Sequence, residues 1–259
     1  MAKVVEIEGV TVSYRENIAL KKVTLSIEEG TFLAVIGPNG AGKTTLLTAI
    51  NGLGKIVQGK VKVFGIDFTP GALCRIRKEI GYVPQTSSID PRFPVSVQDV
   101  VMMGRIGKIG LFRYPDPEDY RIVEEIMELV EIIEFKERPI GHLSGGEQQK
   151  VAIARALAQE PKIMLLDEPT TNLDLKSQRN IVELIDKIYK KKNLTMVLVT
   201  HLLNHIPSSC KKALLIKEGR IVWKGERSSL NKELLSNLYD CPVELIRKGE
   251  RVLVEPKWN

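Results

Sequence analysis

Hydrophobic and polar positions along the 259-residue chain first follow the spacing of strands and later the spacing of helices. In the N-terminal part, short runs rich in β-branched residues are separated by turn residues, which predicts strands. The run Phe32–Ile36 is apolar throughout, as is typical of a strand buried on both faces of a parallel sheet. The predicted strands are Val4–Glu8, Val10–Tyr14, Val23–Ile27, Phe32–Ile36 and Lys60–Phe64.

Helical periodicity dominates between Val97 and Phe135, and it is clearest over Asp119–Ile133. The apolar face predicted for that helix consists of Ile122, Ile126, Leu129, Val130 and Ile133. The other predicted elements are the helices Thr44–Asn51, Glu147–Gln159 and Lys176–Lys190, the strands Ile163–Asp167 and Thr195–Thr200, and a hairpin of Leu214–Lys217 with Ile221–Lys224. Because strands alternate with helices, the pattern predicts an α/β fold around a mainly parallel sheet.

The composition is that of a globular protein. Hydrophobic residues make up 43% of the chain and charged residues 27%, which excludes a disordered or low-complexity chain. No apolar run reaches the roughly 18 residues of a membrane-spanning helix, and the N-terminus lacks the apolar stretch of a secretory signal. Cys74, Cys210 and Cys241 are scattered, so we expect a reducing cytoplasm rather than a disulfide framework.

The formal net charge of +6 does not by itself identify a partner. The dense basic run Lys190–Lys192 falls where a helix is predicted to end, and cations there complement the helix dipole. Aromatic residues are not interleaved with the basic ones, so we expect no nucleic-acid partner.

A glycine-rich segment after Phe32–Ile36 matches the pattern G-x-x-x-x-G-K-[ST] at every fixed position. In this segment, backbone N–H groups and the following helix N-terminus would cradle phosphates. Lys43 would reach the β- and γ-phosphates, and the Thr44 hydroxyl would bind Mg²⁺. The segment consists of Gly37, Pro38, Asn39, Gly40, Ala41, Gly42, Lys43 and Thr44.

Two acids, Asp167 and Glu168, end the apolar strand Ile163–Asp167. Ligands of open parallel sheets bind at the carboxyl ends of the strands, so we expect both carboxylates to face the phosphate-binding loop. Asp167 suits Mg²⁺ binding and Glu168 suits polarising the attacking water. The competing interpretation, a polar turn that closes the strand, is weak beside a phosphate-binding loop.

A second helix start begins with Ser144, Gly145 and Gly146, and Glu147 follows. Ser144 and Glu147 fit a capping box, but a cap does not require two glycines in the first helical turn. Paired glycines with a serine suit close approach to a phosphate. A chain with two such helix starts either binds two anions or shares one anion between subunits.

Taken together, residues 3–227 resemble the ATP-binding subunits of the ABC transporter family. Gly37–Thr44 is similar to the Walker A motif, Ile163–Glu168 to Walker B and Leu143–Gln148 to the LSGGQ signature, although Glu147 precedes Gln148. The resemblance implies a P-loop NTPase core with a mainly parallel sheet, an N-terminal antiparallel β-subdomain and an inserted helical subdomain.

Further site residues follow from the resemblance alone. Gln85 resembles the Q-loop glutamine that touches Mg²⁺ and relays the nucleotide state, and Asp174 lies in a D-loop-like segment. His201 resembles the switch histidine that contacts the γ-phosphate, and Tyr14 the aromatic residue that stacks on adenine. Thr45, which follows Thr44, is placed among the nucleotide-binding residues. The implied cofactors are ATP and Mg²⁺.

The domain boundaries predicted on this basis are residues 1–85 with 161–227 for the ATP-binding core and 86–160 for the helical subdomain. Residues 228–259 are a C-terminal extension, with a helix predicted over Asn231–Tyr239. A hairpin is predicted from Val243–Ile246 and Arg251–Val254 around Lys248-Gly249-Glu250. His201 and His205 stand four residues apart, but no glutamate follows His201, so zinc chemistry is not expected. His205 is expected at the surface or in a helix.

The stretch after Gln85 indicates the transported substrate class. Val97–Arg105 and Gly110–Pro115 look like the ATPases of importers for zinc, manganese and iron, with iron-chelate importers next. An ABC-type ATPase acting on DNA, ribosomes or cluster assembly is the alternative, and a non-enzymatic scaffold conflicts with the presence of Glu168. The transport reading implies a homodimer through ATP, multi-span permease subunits, an extracytoplasmic binding protein as an indirect partner, and a peripheral position on the cytoplasmic face of the membrane.

Overall fold

The computed structural model describes residues 2–14, 17–85, 90, 93–110, 112–248 and 251–257. Leu111 in the stretch Gly110–Pro115, and Gly249 and Glu250 in the predicted hairpin turn, lie outside the described residues. The strands are β1 (Lys3–Tyr14), β2 (Asn17–Glu28), β3 (Phe32–Ile36), β4 (Ile56–Val63), β5 (Ile66–Asp67), β6 (Ile80–Val83), β7 (Ile163–Asp167), β8 (Thr195–Thr200), β9 (Lys212–Lys217), β10 (Arg220–Glu226), β11 (Val243–Lys248) and β12 (Arg251–Pro256). The α-helices are α1 (Lys43–Ile50), α2 (Pro70–Lys78), α3 (Val97–Met102), α4 (Ile106–Ile109), α5 (Pro117–Leu129), α6 (Gly145–Ala158), α7 (Leu175–Lys192) and α8 (Lys232–Tyr239).

The chain forms two compact units, and the first contains Met1–Arg77 with Asn193–Asn259. An antiparallel sheet with the strand order β2-β1-β4-β5 confirms the antiparallel N-terminal part. The prediction of two strands before residue 15 was wrong, because β1 continues through Gly9. Gly9 has φ +57° and lies where the pairing of β1 shifts register, so this glycine forms a bulge rather than a strand end.

Three parallel strands form the core of the first unit. β3 pairs with β8 on one side and with β9 on the other, and β10 pairs antiparallel with β9. Every residue of β3 is buried, as predicted from its continuous apolar run, and every residue of β8 is buried as well. Helix α1 packs against β8 as well as against β1, β2 and β4, so it is buried between the parallel strands and the antiparallel sheet.

The second unit spans Lys78–Lys192. Its strands β6 and β7 are parallel. Helix α6 is central to this unit, because it packs against β6, α3, α5 and α7. Helix α5 ends at Leu129, four residues earlier than predicted, and Ile133 lies in a separate 3-10 turn. Of the predicted apolar face, Ile126 and Val130 are buried, whereas Ile122, Leu129 and Ile133 are only partly buried. The other buried residues between Asp119 and Ile133 are Asp119, Val123, Met127 and Ile132.

The C-terminal extension contains α8 and a hairpin of β11 and β12, in agreement with the predicted elements. Asn231 is the N-cap of α8 rather than its first residue, since its side chain accepts a hydrogen bond from the N–H of Leu234. Among the residues described, none of the helices is both long and apolar enough to cross a membrane.

Candidate nucleotide and signature sites

The glycine-rich loop between β3 and α1 is shaped by close backbone contacts. A Cβ on Gly37 would lie 2.3 Å from the carbonyl oxygen of Ile216, and one on Gly42 would lie 2.6 Å from that of Ala19. Gly42 also has φ +100°, a conformation that other residues rarely adopt. Packing within the chain therefore requires both glycines, in addition to any need for room around a phosphate.

Lys43 begins α1 and its side chain folds back over the loop. Its Nζ donates hydrogen bonds to the carbonyl oxygens of Gly37 and Pro38, each at 3.0 Å, and the residue is only 5% exposed. The ammonium group is thus held on the concave side of the loop by carbonyl oxygens. A phosphate oxygen is a stronger acceptor for this charge than a neutral carbonyl.

Tyr14 lies at the end of β1 and is fixed at its hydroxyl group. Its Oη is 3.1 Å from the Oγ1 of Thr48, whose own proton is donated to the carbonyl of Thr45. Tyr14 is therefore the donor in this contact. The residue is 45% exposed, so part of its ring is open to solvent while α1 holds its far end.

Two segments of the first unit leave the same edge of the parallel sheet. Ile36, at the end of β3, is opposite Thr200, at the end of β8. Gly37 and His201 follow these residues directly, so the register brings the start of the glycine-rich loop and His201 to neighbouring strand ends. The carbonyl oxygen of His201 accepts a hydrogen bond from the hydroxyl of Tyr239 at 3.0 Å.

His205 was expected at the surface or in a helix; the structure places it in a short 3-10 helix, and the surface position is wrong because the residue is buried. It lies in the 3-10 turn Leu203–His205 and is 8% exposed. Burial, together with the nearby His201, lowers the pKa of His205 below its ordinary value. The missing information was long-range, because this turn packs against β12 of the C-terminal extension.

In the second unit, β6 and β7 also end side by side. Val83 pairs with Leu166, so Gln85 follows one strand end, and Asp167 and Glu168 lie at the other. Asp167 is buried and its Oδ2 accepts a hydrogen bond from the hydroxyl of Tyr82 at 3.3 Å. Tyr82 was not singled out from the sequence, since a tyrosine in a short strand has no distinctive local pattern.

Glu168 adopts an unusual backbone conformation. Its φ is +45°, which is uncommon for a residue with a side chain, and it is only 8% exposed. Its Oε2 accepts a hydrogen bond from the Thr171 hydroxyl at 3.1 Å. The turn thus fixes this carboxylate immediately after the strand, and Thr171 is a further residue that sequence reasoning missed.

The signature helix α6 begins with the predicted capping box. The N–H of Glu147 donates to the Oγ of Ser144, and the N–H of Ser144 donates to Oε2 of Glu147 at 2.7 Å. The Nε2 of Gln148 donates to the carbonyl oxygens of Ile140 and Leu143. The capping box is therefore confirmed, and the approach of Ser144 and the two glycines to a phosphate stays a prediction.

Gly146 and Asp174 are joined through Ser177. A Cβ on Gly146 would lie 2.6 Å from the Oγ of Ser177, and this Oγ donates a 2.6 Å hydrogen bond to Oδ2 of Asp174. Hydrogen bonds from the hydroxyl and N–H of Ser177 and from the N–H of Lys176 lower the pKa of Asp174 and keep it ionised. Ser177 thereby brings two predicted site residues together, and no local signal identifies it.

A profile of the ABC transporter family matches residues 20–171, more than half of the chain. The chain belongs to the ABC transporter family. Its Walker A, signature and Walker B motifs lie within the matched residues, as the resemblance in sequence implied. It is an ABC-type ATPase.

Relatives with assigned roles are similar over most of the chain. MntA, the ATP-binding protein of a manganese transport system in Synechocystis sp., is 37% identical over 89% of this chain and 88% of its own. YfeB, of a chelated iron transport system in Yersinia pestis, is 40% identical over 82% of this chain and 71% of its own. TroB, the ATP-binding protein of a zinc transport system in Treponema pallidum, is 37% identical over 92% and 87%.

Solved structures show the same fold. One, assigned to a metal-chelate type ABC transporter in an inward-facing conformation, is 31% identical with a TM-score of 0.82 and covers 100% of this chain and 98% of its own. Another is a dimeric, post-hydrolysis ATP-binding cassette bound to ADP and Pi, 33% identical with a TM-score of 0.74 over 86% and 98%. The mixed α/β ABC ATPase fold is therefore confirmed, and the fold binds nucleotide.

Proposed function

We propose that this chain is the ATP-hydrolysing subunit of an importer for a metal cation or a metal chelate. The observation that carries the proposal is that manganese, zinc and chelated-iron transport proteins match 82–92% of the chain. The match therefore extends over the helical insert as well as the nucleotide-binding motifs. The metal is the cargo of the permease and need not touch this subunit.

Nucleotide binding is assigned to the first unit. The N–H groups of Gly37–Thr44 and the start of α1 hold the phosphates, Lys43 neutralises their charge, and Thr45 extends this set. Tyr14 stacks on adenine through the exposed part of its ring, while its hydroxyl bond to Thr48 fixes the ring's direction.

Three side chains supply the oxygen atoms that we assign to Mg²⁺ binding. The Thr44 side chain is exposed in the first turn of α1, Asp167 presents a carboxylate at the end of β7, and Gln85 adds an amide oxygen. Mg²⁺ prefers hard oxygen ligands of this kind. When bound, the ion neutralises charge on the β- and γ-phosphates.

Hydrolysis is assigned to Glu168 and His201. Glu168 polarises the attacking water, and its turn, held by Thr171, keeps the carboxylate fixed. His201 contacts the γ-phosphate from the end of β8. Gln85 reports the nucleotide state to the membrane partner from the end of β6.

The signature residues act on a nucleotide held by a second copy of the chain. Ser144, Gly145 and Gly146 present the N-terminus of α6, where backbone N–H groups attract anions. Asp174, anchored to the same helix start through Ser177, lies at the same surface. The ATP-bound state is accordingly a homodimer.

A membrane partner is supported by an apolar groove in the second unit. Asp99 and Arg113 flank a surface whose apolar side chains come from Met102, Met103, Ile106, Ile109 and Phe112. Phe112 is 95% exposed and the neighbouring Tyr114 is 93% exposed. Such exposed apolar residues typically mark an interaction site, here the docking site of a multi-span permease. The chain then acts at the cytoplasmic face of the membrane, and an extracytoplasmic binding protein delivers the metal to the permease.

Uptake of metal by membrane vesicles tests this proposal. Vesicles with the full chain and its co-purifying permease, supplied with the binding protein on the opposite face, should accumulate Mn²⁺, Zn²⁺ or an iron chelate only when ATP is supplied inside, on the side of the chain. Glu168→Gln should bind ATP and lose uptake, with hydrolysis reduced roughly 10²–10⁴-fold. Normal ATP hydrolysis without uptake of any of these cargoes, and without a membrane partner, would instead favour an ABC-type ATPase outside transport.

A further inference from the structure

The segment that follows β8, residues 201–207, is contacted by the C-terminal extension. The hydroxyl of Tyr239, in α8, donates a 3.0 Å hydrogen bond to the carbonyl oxygen of His201. Strand β12 packs against the 3-10 turn Leu203–His205. The start and the middle of the segment are thus both held by parts of the chain that lie after the nucleotide-binding motifs.

The other end of this segment is held as well. Nη1 of Arg227 donates to the carbonyl oxygens of Ile206 at 3.2 Å and Pro207 at 3.0 Å. The side chains that make these contacts, Tyr239 and Arg227, lie outside the nucleotide motifs. The segment is therefore restrained along its length rather than being a free loop.

The extension itself is anchored to the core of the first unit. Nζ of Lys217, at the end of β9, donates to the carbonyl of Asn237 at 2.6 Å and to Oδ1 of Asp240 at 2.5 Å. The Oγ of Ser236 accepts a hydrogen bond from the N–H of Val243, which joins α8 to the hairpin. These hydrogen bonds hold α8, and with it Tyr239, in place against the first unit.

Tyr239 keeps its proton under physiological conditions. Burial raises the pKa of Tyr239 to about 12, so the phenol is neutral and its hydroxyl remains a donor. The donor faces a backbone carbonyl, which leaves the His201 imidazole unused by this contact.

We infer that the C-terminal extension positions His201 for catalysis and that Tyr239 is the positioning residue. The inference rests on the proposed role of His201 at the γ-phosphate. Holding the carbonyl of His201 fixes the backbone from which the imidazole projects, so a catalytic group is kept in a productive place. The extension is then a working part of the ATPase and not only a cover for the fold.

Tyr239→Phe removes the hydroxyl and keeps the ring. At saturating Mg-ATP we expect kcat of the full chain to fall about two- to tenfold, the range for one lost neutral hydrogen bond. KM for ATP should change little, because the substitution leaves the glycine-rich loop and Tyr14 unchanged. Backbone amides of residues 201–206 should exchange faster with solvent. Tyr120→Phe, which removes an exposed phenol from α5, is the matched control and should leave all three values unchanged.

A double-mutant cycle with His201→Ala tests whether Tyr239 works through His201. Measured in single turnovers, Tyr239→Phe should lower the rate in the wild-type background and add nothing in His201→Ala. An equal fall in both backgrounds, or an unchanged kcat in Tyr239→Phe, overturns the inference. Wild-type turnover in His201→Ala alone would remove the proposed role of His201 and the inference with it. In that case Tyr239→Phe would still speed amide exchange at residues 201–206. The structural contact of Tyr239 with the segment would then hold even though His201 has no catalytic role.

Discussion

A Cβ added to Gly146 would lie 2.6 Å from Ser177 Oγ and 2.9 Å from Ser177 Cβ, whereas one on Gly145 would meet only Leu173, at 3.4 Å. These two glycines are adjacent in one helical turn, yet only the second is required by packing within the chain. The sequence suggested that both leave room for a phosphate. It could not reveal the contact with Ser177, because this serine is in a different helix.

Alanine at each glycine separates these two roles. Gly146→Ala should lower the free energy of unfolding by about 1–3 kcal/mol, since the new methyl group collides with Ser177. Gly145→Ala should leave stability unchanged or raise it by about 0.5–1 kcal/mol, because alanine favours the helix. Urea unfolding of both variants is the measurement. Equal stability of the two variants would show that Ser177 moves aside at no cost.

The pH dependence of stability should report the buried His205. Its pKa is lowered, mainly by burial, so the folded chain binds this proton less readily than the unfolded chain. The free energy of unfolding therefore falls as pH drops through the ordinary histidine range, near about 6.5. Between about pH 7.5 and 5.5 the wild-type chain should lose stability, and His205→Gln should lose less.

Exposed His142 supplies the control for this measurement. His142→Gln should keep the wild-type slope of stability against pH, because that side chain is in solvent in both states. A His205→Gln variant with the wild-type slope would show that His205 is not the group responsible.

At the scale of elements, Arg105 ties together three parts of the second unit. Its Nε donates to Oδ1 of Asp119 at 2.9 Å, and its Nη1 donates to the carbonyl of Ala158 at 3.0 Å and to Oε2 of Glu160 at 2.5 Å. Asp119 belongs to the capping box of α5, and Ala158 ends α6. Arg105 itself follows Met102 and Met103 of the apolar groove, so the groove and the signature helix share one buried anchor.

Removing this anchor should destabilise the second unit strongly. Arg105→Met leaves the Asp119 carboxylate buried without its cation, and breaking such a pair costs about 3–5 kcal/mol. The control is Arg121→Met, because Arg121 pairs with Glu118 and Glu125 on the exposed face of α5 and such pairs contribute little. Chemical unfolding compares the two variants. A loss in Arg105→Met as small as that in Arg121→Met would contradict the role of the anchor.

Elements were predictable where a local pattern is strong. The buried, mainly apolar strands β3, β7 and β8 are confirmed, and α7 ends at Lys192, in the basic run where a helix end was predicted. Strand β6 was not predicted, since it is short and contains Gly81. A Cβ on Gly81 would lie 2.8 Å from the carbonyl oxygen of Ala156 in α6. Glycine is therefore needed at this position because of a helix far along the chain, which the local sequence could not show.

The site residues divide in the same way. The glycine-rich loop and the two acids at the end of β7 have fixed spacing and could be predicted from the sequence. Thr171, Ser177 and Tyr239 support site residues but match no local pattern, because their roles arise from hydrogen bonds formed only in the fold. Long-range contacts explain what the sequence pattern could not show.

At the scale of the whole molecule, the two helix starts that we propose to bind phosphate differ in their residues. Helix α1 begins with Lys43 and has a charge for phosphate, whereas α6 begins with a serine cap and two glycines. In the proposed two-fold dimer, each ATP is held by Lys43 of one copy and by Ser144 of the other, so both sites are equivalent. ATP then favours the closed dimer and hydrolysis releases it, because only the triphosphate contacts both copies.

Mixing two inactive variants tests the shared site. Lys43→Ala removes the ammonium group that neutralises the phosphates from every site of its own dimer. Ser144→Arg blocks the start of the signature helix in every site of its own dimer. A mixed dimer contains one site with Lys43 from one chain and Ser144 from the other. We expect ATP-dependent dimerisation, followed by sedimentation, and measurable turnover to return in the mixture but in neither parent.

In the matched control, the Ser144→Arg chain is replaced by a chain that carries both Lys43→Ala and Ser144→Arg. Lys43→Ala mixed with Lys43→Ala/Ser144→Arg forms dimers without any intact site, so it should remain inactive at the same total concentration. Subunit exchange is verified beforehand with differently tagged chains. If exchange occurs and the first mixture still shows neither closure nor turnover, each chain does not complete its partner's site. Recovery of closure without turnover would instead show that ATP joins the two copies through one site but that hydrolysis requires both.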